Sequence, residues 1–297
     1  MGRLLGTIDS IRRRCLSRLG VKRKYLINGL EIELDFSHAL PDYQRIHPNY
    51  DKFLSEFVRF LPSNSVVVDV GANVGDSLAA MAGSNDQLQY VCIEADPEFF
   101  EALNCNVEAL INQRPGLRVN TAMGLVGRDV DAVALLGSSG TKRAVPGAGS
   151  LTPKPLQELL NASETDESRL QLLKVDVDGY DWDVLGSAFD ILKSQTPAIF
   201  FECQFNSHDQ LRSYQKLFRN LFTIGYSNYW FFDNFGNFML STQRLETISD
   251  LVGYLARMSF GGSTKTLGYF DILAWTEERA EWVDGIIATY ASAPCSS

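Results

Sequence analysis

The sequence contains no apolar run near the ~18 residues that a membrane-spanning helix requires, and no secretory leader pattern. Its five cysteines, Cys15, Cys92, Cys105, Cys203 and Cys295, are odd in number and show no Cys-x-x-Cys spacing. That reads against a disulfide framework and for reduced core thiols in a cytoplasmic protein. Internal repeats are lacking too. So is a basic body: residues 1–24 carry eight basic side chains against Asp9, or +7, which leaves −16 for the rest of a chain whose total is −9. An acidic body excludes nucleic acid as a partner, because phosphate contacts need a basic surface. What remains, 45% hydrophobic and 21% charged, is enough to bury a full core.

The most informative stretch is Ser65-Val66-Val67-Val68-Asp69-Val70-Gly71-Ala72-Asn73-Val74-Gly75-Asp76-Ser77. Its valines suit a strand buried on both faces of a parallel sheet. Gly71 and Gly75 bracket a tight turn, and Asp76-Ser77 open a helix. Strand, turn and helix N-terminus together form the crevice in which α/β folds bind ligands. The dinucleotide fingerprint is missing here: Asn73 stands at its second glycine and Asp76 at its third. A carboxylate at that point disfavours a pyrophosphate. A second predicted strand, Leu88–Ile93, leads to Glu94-Ala95-Asp96-Pro97, and Glu94 lies 23 residues after Gly71. From there a carboxylate can grip both ribose hydroxyls. Acid at the turn and acid on the ribose point to S-adenosylmethionine, with its ammonium and sulfonium. The expected cofactor contacts are Asp69, Gly71, Ala72, Asn73, Gly75, Asp76, Ser77, Glu94, Ala95 and Asp96.

Leu4, Ile8, Ile11, Cys15 and Leu19 recur at helical spacing among arginines. A helix of this kind packs on its own domain or on a partner, or rests on anionic lipid. Asn28-Gly29 between Tyr25–Ile27 and Leu30–Leu34 predicts a hairpin. Asn49 is expected to cap a helix running to Phe60, and Pro97 to open one reaching about Leu110. Strands are expected over 117–123 and 129–136, then a long loop over 137–150. Aromatic strands follow around Tyr229–Phe232 and Phe238–Leu240, with a helix over 246–258. Tyr269–Trp275 reads as a last strand, and Thr276 as the cap of a final helix.

A second acidic stretch, Lys174-Val175-Asp176-Val177-Asp178-Gly179-Tyr180-Asp181, closes an apolar strand with a turn and a helix. Ala198–Cys203 repeats the scheme with Glu202. Unpaired acids ending buried strands are costly, which marks Asp176 and Glu202 as site candidates. Asp178 reads equally as a site carboxylate or a helix cap. His208 has the best intrinsic pKa for proton transfer, against a plain surface role. These residues would remove a proton from an acceptor hydroxyl, or two or three of the carboxylates would hold Mg²⁺. Lys174 reads as structural, its ammonium pairing a nearby acid.

Asp69–Gly75, Glu94–Pro97, Lys174–Gly179 and Tyr269–Ala274 occur in the order seen in FkbM-type methyltransferases, which this chain resembles over roughly Leu40 to Trp275. One departure is Asp178-Gly179-Tyr180-Asp181, where the family usually has Glu-Gly-x-Glu. The resemblance implies a class I methyltransferase (Rossmann-like) three-layer α/β sandwich. Its sheet would be mostly parallel with an antiparallel C-terminal hairpin, spanning residues 61–297 behind an N-terminal helix and hairpin extension over 1–60. It further implies S-adenosylmethionine-dependent O-methylation of a hydroxyl-bearing small molecule or glycan. The segments His38–Tyr43 and Pro48–Asp51 resemble members linked to cell-surface glycans. Two other readings stand beside it: an NAD(P)-dependent sugar oxidoreductase, opposed by Asn73 and Asp76, and a catalytically silent module docking through residues 1–24, opposed by Asp69, Glu94 and Asp176.

Overall fold

The structure, a computed structural model, describes residues 20–128, 133–138, 141–146, 151–261, 267–279, 283 and 285–286. The basic helix expected over Leu4–Leu19 lies outside them. A hairpin comes first, β1 (Lys22–Ile27) and β2 (Leu30–Asp35). Asn28 and Gly29 both take positive φ, 47° and 81°, as a two-residue hairpin turn demands. Two short helices follow, α1 (Leu40–Ile46) and α2 (Lys52–Val58). The first was not expected, and the second starts after Asp51 rather than Asn49.

The core sheet uses β3 (Val66–Val70), β4 (Gln89–Glu94), β5 (Arg118–Met123), β8 (Leu170–Val175), β9 (Ala198–Cys203), β10 (Tyr226–Asp233), β11 (Phe238–Thr242) and β12 (Phe270–Thr276). Their order is β11-β10-β12-β9-β8-β3-β4-β5. Pairing from β9 through β8, β3 and β4 to β5 is parallel, and β10, β11 and β12 join antiparallel. This is the mostly parallel α/β sheet with antiparallel C-terminal strands that the sequence implies. A separate hairpin pairs β6 (Val133–Ser138) with β7 (Thr141–Pro146), so the loop expected over 137–150 is in large part a strand.

Alternation along β3 builds the layers. Val66, Val68 and Val70 join one apolar cluster and Val67 the other. The first cluster buries α5 (Leu156–Ala162), α6 (Asp181–Ser187), α7 (Phe189–Gln195), α8 (His208–Thr223) and α9 (Leu245–Phe260). The second buries the hairpin, α1, α2, α3 (Asp76–Ser84) and α4 (Pro97–Gln113). Two asparagines stitch the hairpin to that face. Asn28 Nδ2 donates to Ala80 O at 2.8 Å, and Asn106 Nδ2 donates to Glu33 O at 3.0 Å and Val74 O at 2.8 Å. The result places residues 38–51 beside the carboxyl ends of β3, β8 and β9. Among the described residues no helix is long and apolar enough to cross a membrane.

Candidate active site

At the end of β3 the chain turns sharply at Gly71, φ 82°, where an added Cβ would lie 2.0 Å from the Asp176 carbonyl oxygen. Only glycine fits a backbone that close to the next strand. The turn's amides are committed within the fold. Gly71 N and Ala72 N donate to Ile93 O at 2.9 and 3.1 Å, and Gly75 N to Ala72 O at 2.8 Å. Asn73 N donates to Glu94 Oε2 at 2.8 Å, while Glu94 Oε1 accepts from Ala95 N at 2.9 Å and Asp96 N at 2.8 Å. Burial raises the Glu94 carboxyl and those amides oppose the rise. Asp96 caps α4 through Glu98 N and Phe99 N. At the start of α3 the Asp76 carboxylate takes its own backbone N–H.

Asp69 is 1% exposed. Its Oδ1 accepts from Lys174 Nζ at 2.9 Å and its Oδ2 from Ser77 Oγ at 2.5 Å. Burial alone would lower the Lys174 ammonium, but Asp69 and Asp176 beside it carry it above its ordinary value. The expected structural role of Lys174 is what its contacts describe, and its partner is Asp69.

Beside the turn lies a cavity of about 260 Å³. Of the sequence-predicted residues it is lined by Gly71, Asn73, Asp76, Ser77, Asp176, Asp178 and Glu202. Asp69, Ala72, Gly75, Glu94, Ala95 and Asp96 are not in its lining and act from behind the turn. Asp178 is not a helix cap: α6 begins at Asp181 after Tyr180, and Asp178 itself takes φ 52°. Nor does His208 join the acids. It is exposed at the first position of α8, its ring 4.4 Å from that of Phe260. Among the described residues no three His, Cys, Asp or Glu side chains are grouped to hold a metal ion.

The lining also includes His38, Tyr50, Asp51, Tyr269 and Asp271, which lie in segments that carry the family resemblance but were not expected as site residues. His38 is 8% exposed; its Nδ1 accepts from Leu40 N at 3.3 Å, which leaves the proton on Nε2, an atom with no hydrogen-bond partner. Burial lowers His38, against the pull of Asp76. Glu202, 7% exposed, has an unpartnered Oε1, and burial with Asp176 and Asp181 around it drives its carboxyl well above the usual range. Asp271 sits across from Glu202 in the β12–β9 register and is raised likewise, by burial and then by Asp176 and Asp51. A polar residue inside the apolar run Phe270–Trp275 was the available signal for Asp271. Asn73, Asp51 and Asp178 all hold left-handed φ at the cavity wall, a conformation that Asn and Asp adopt more readily than other non-glycine residues.

A family model for the methyltransferase FkbM domain matches residues 69–226, more than half of the chain. No curated protein matches the sequence. Solved structures with a similar fold include a methyltransferase FkbM from Methylobacillus flagellatus KT (12% identity, 80% of this chain and 59% of that one, TM-score 0.40). A SAM-dependent methyltransferase from Agrobacterium tumefaciens is similar at 11% identity, over 86% and 70% of the two chains, with TM-score 0.46. TYW2 of M. jannaschii, in complex with AdoMet, is similar at 11% identity over 85% and 84%, with TM-score 0.42. Likeness of this degree says nothing about substrate.

Proposed function

The chain belongs to the FkbM methyltransferase family, and from that premise we propose that it is an S-adenosylmethionine-dependent O-methyltransferase. Its acceptor in this reading is a hydroxyl on a sugar, in a cell-surface glycan or a glycosylated metabolite. The observation that carries the reading is the character of the cavity at Gly71. Six carboxyl groups, those of Asp51, Asp76, Asp176, Asp178, Glu202 and Asp271, line it against Lys174 and His38. Such a lining suits a cation. It does not suit a pyrophosphate, since the amides of Gly71, Ala72, Asn73 and Gly75 are bonded internally and an acid, Asp76, stands in the first turn of the helix where a phosphate would sit. This supports S-adenosylmethionine over NAD(P).

The residues present fit that cofactor, which when bound supplies an electrophilic methyl group on a cationic sulfur. Gly71 lets the turn lie against the end of β8, and Glu94 pins the turn to the end of β4. Lys174 holds Asp69 and stands 3.7 Å from Asp176, so it fixes the two strand ends that frame the cavity. Glu202, whose carboxyl burial pushes well above the usual range, can donate a hydrogen bond to an acceptor oxygen from its protonated form and hold it in line.

Calorimetric titration with S-adenosylmethionine, S-adenosylhomocysteine and NAD(P) tests the reading. The first two are expected to bind and NAD(P) is not. Uptake of NAD(P) with no response to S-adenosylmethionine would sink it. Radiolabelled S-adenosylmethionine incubated with glycan extracts then tests the acceptor class.

A further inference from the structure

Residues 38–51 lie outside the segment that the family model matches, yet they wall the same cavity. Within them Asp51 stands apart. It holds φ 58°, the left-handed region that aspartate and asparagine enter more readily than other non-glycine residues, and so points its side chain away from the helix it precedes. It stands at the N-cap position of α2, but its side chain makes no capping hydrogen bond. Among the described residues that carboxylate accepts no hydrogen bond and forms no ion pair, and it opens into the cavity. A carboxylate with no structural partner in a methyltransferase cavity is placed for chemistry rather than for stability.

We propose, resting on the hydroxyl-methylation reading above, that Asp51 is the general base that takes the acceptor's proton. As the acceptor oxygen's lone pair forms the bond to the methyl carbon, the O–H proton passes to an Asp51 carboxylate oxygen. The carbon–sulfur bond breaks with its electron pair left on sulfur, and Asp51 later returns the proton to water. The charged neighbours favour the assignment. Asp76 on α3, Asp176 after β8 and Asp69 on β3 repel a second negative charge, while Lys174 attracts it. Tyr50, and from the β12 side Tyr269 and Asp271, complete the ring of titratable groups around it. Burial first, then Asp76 and Asp176, push Asp51 up to about 8, where a carboxylate is a far better proton acceptor than an ordinary aspartate near ~4. A cationic ligand in the same cavity favours the ionised form. Binding of the methyl donor therefore releases the Asp51 proton and readies the base.

The test uses the full chain, as wild type, Asp51→Asn and Asp51→Gly. Asparagine and glycine both tolerate positive φ, so neither substitution adds backbone strain. S-adenosylmethionine is titrated at pH 7.5 (about half a unit below the Asp51 value) in two buffers of different ionisation enthalpy. Wild type is expected to release more protons than either variant, with donor affinity within tenfold across the three. Transfer from labelled S-adenosylmethionine to a glycan extract is expected to fall about 100-fold or more in both variants, with loss of the rise around pH 8 in kcat/KM for the donor, the quantity that reports the free enzyme's base. Equal proton release by wild type and variants overturns the assignment, with or without an acceptor in hand. So does a variant that transfers at the wild-type rate with an unchanged pH profile. Failure of the wild type to bind S-adenosylmethionine fells the methyltransfer reading itself, and this role with it.

Discussion

Asp69 and Glu202 look alike in sequence, each an acid set in an apolar strand of the same sheet, and the fold uses them in opposite ways. Asp69 stands opposite Lys174 in the β3–β8 register, and its two oxygens accept from that ammonium and from Ser77. Glu202 stands opposite Asp271 in the β12–β9 register, a second acid, and one of its oxygens has no partner. The neighbour across the ladder decides. A lysine there makes the acid a charged anchor inside the protein, while another acid leaves it neutral and available at the cavity wall. Burial is nearly equal, at 1% and 7% exposure, so burial does not distinguish the two.

The largest effect should come from removing the cation. Lys174→Met leaves Asp69 as an uncompensated buried charge and should cost about 3–5 kcal/mol in urea unfolding. Pairing it with Asp69→Leu should restore most of that loss, because an apolar pair of similar volume replaces an ion pair well. Glu202→Gln, by contrast, exchanges one neutral group for another and should stay within about 1 kcal/mol. Equal losses from Lys174→Met and Glu202→Gln would break the comparison.

Much of this was legible in the sequence, for a physical reason. The runs that became β3, β4, β8 and β9 are buried on both faces, so their composition alone marks them, and Asn28-Gly29 specifies its turn through φ. Asp176 and Glu202, which line the cavity, were marked because an acid ending such a strand is anomalous by itself. The rest depended on who packs against whom. Nothing local separates the partner of Asp69 from the lack of one at Glu202, since Lys174 lies 105 residues away. Asp51 lies in the segment Pro48–Asp51, whose resemblance marked a region and not a residue: its place at the cavity comes from a backbone bend and from α2 packing against the sheet. The β6–β7 hairpin escaped because its second strand, Thr141-Lys142-Arg143-Ala144-Val145-Pro146, lacks apolar alternation.

The comparison also predicts how stability changes with pH. Burial raises Asp51, Glu202 and Asp271 in the folded protein, while in the unfolded chain they titrate at ordinary carboxyl values. Their contribution is thus complete in acid, below the unfolded values, and is lost as pH rises through the folded ones, for Asp51 at about 8. Urea midpoints should therefore fall between pH 5 and 9 (roughly the span between unfolded and folded carboxyl values). Each titrating proton contributes a slope of at most about 1.4 kcal/mol per pH unit. Asp51→Asn should flatten the part that ends near 8. Stability that instead climbs across this range would mean that these acids are charge-compensated, as Asp69 is.

Two histidines repeat the contrast on a smaller scale. His208 lies exposed at the start of α8 against Phe260, so His208→Ala should alter neither methyl transfer nor, beyond about 0.5 kcal/mol, stability. His38 is buried at the cavity wall with its Nε2–H unpartnered, and burial holds it in the neutral form. A neutral donor aimed at a hydroxyl oxygen offsets its own desolvation only when the acceptor is present. His38→Ala should then lower transfer to glycan acceptors about tenfold, the worth of one hydrogen bond, while S-adenosylmethionine affinity in calorimetry stays within a few-fold. Loss of donor binding in His38→Ala with transfer otherwise intact would move this histidine from the acceptor's side of the cavity to the cofactor's.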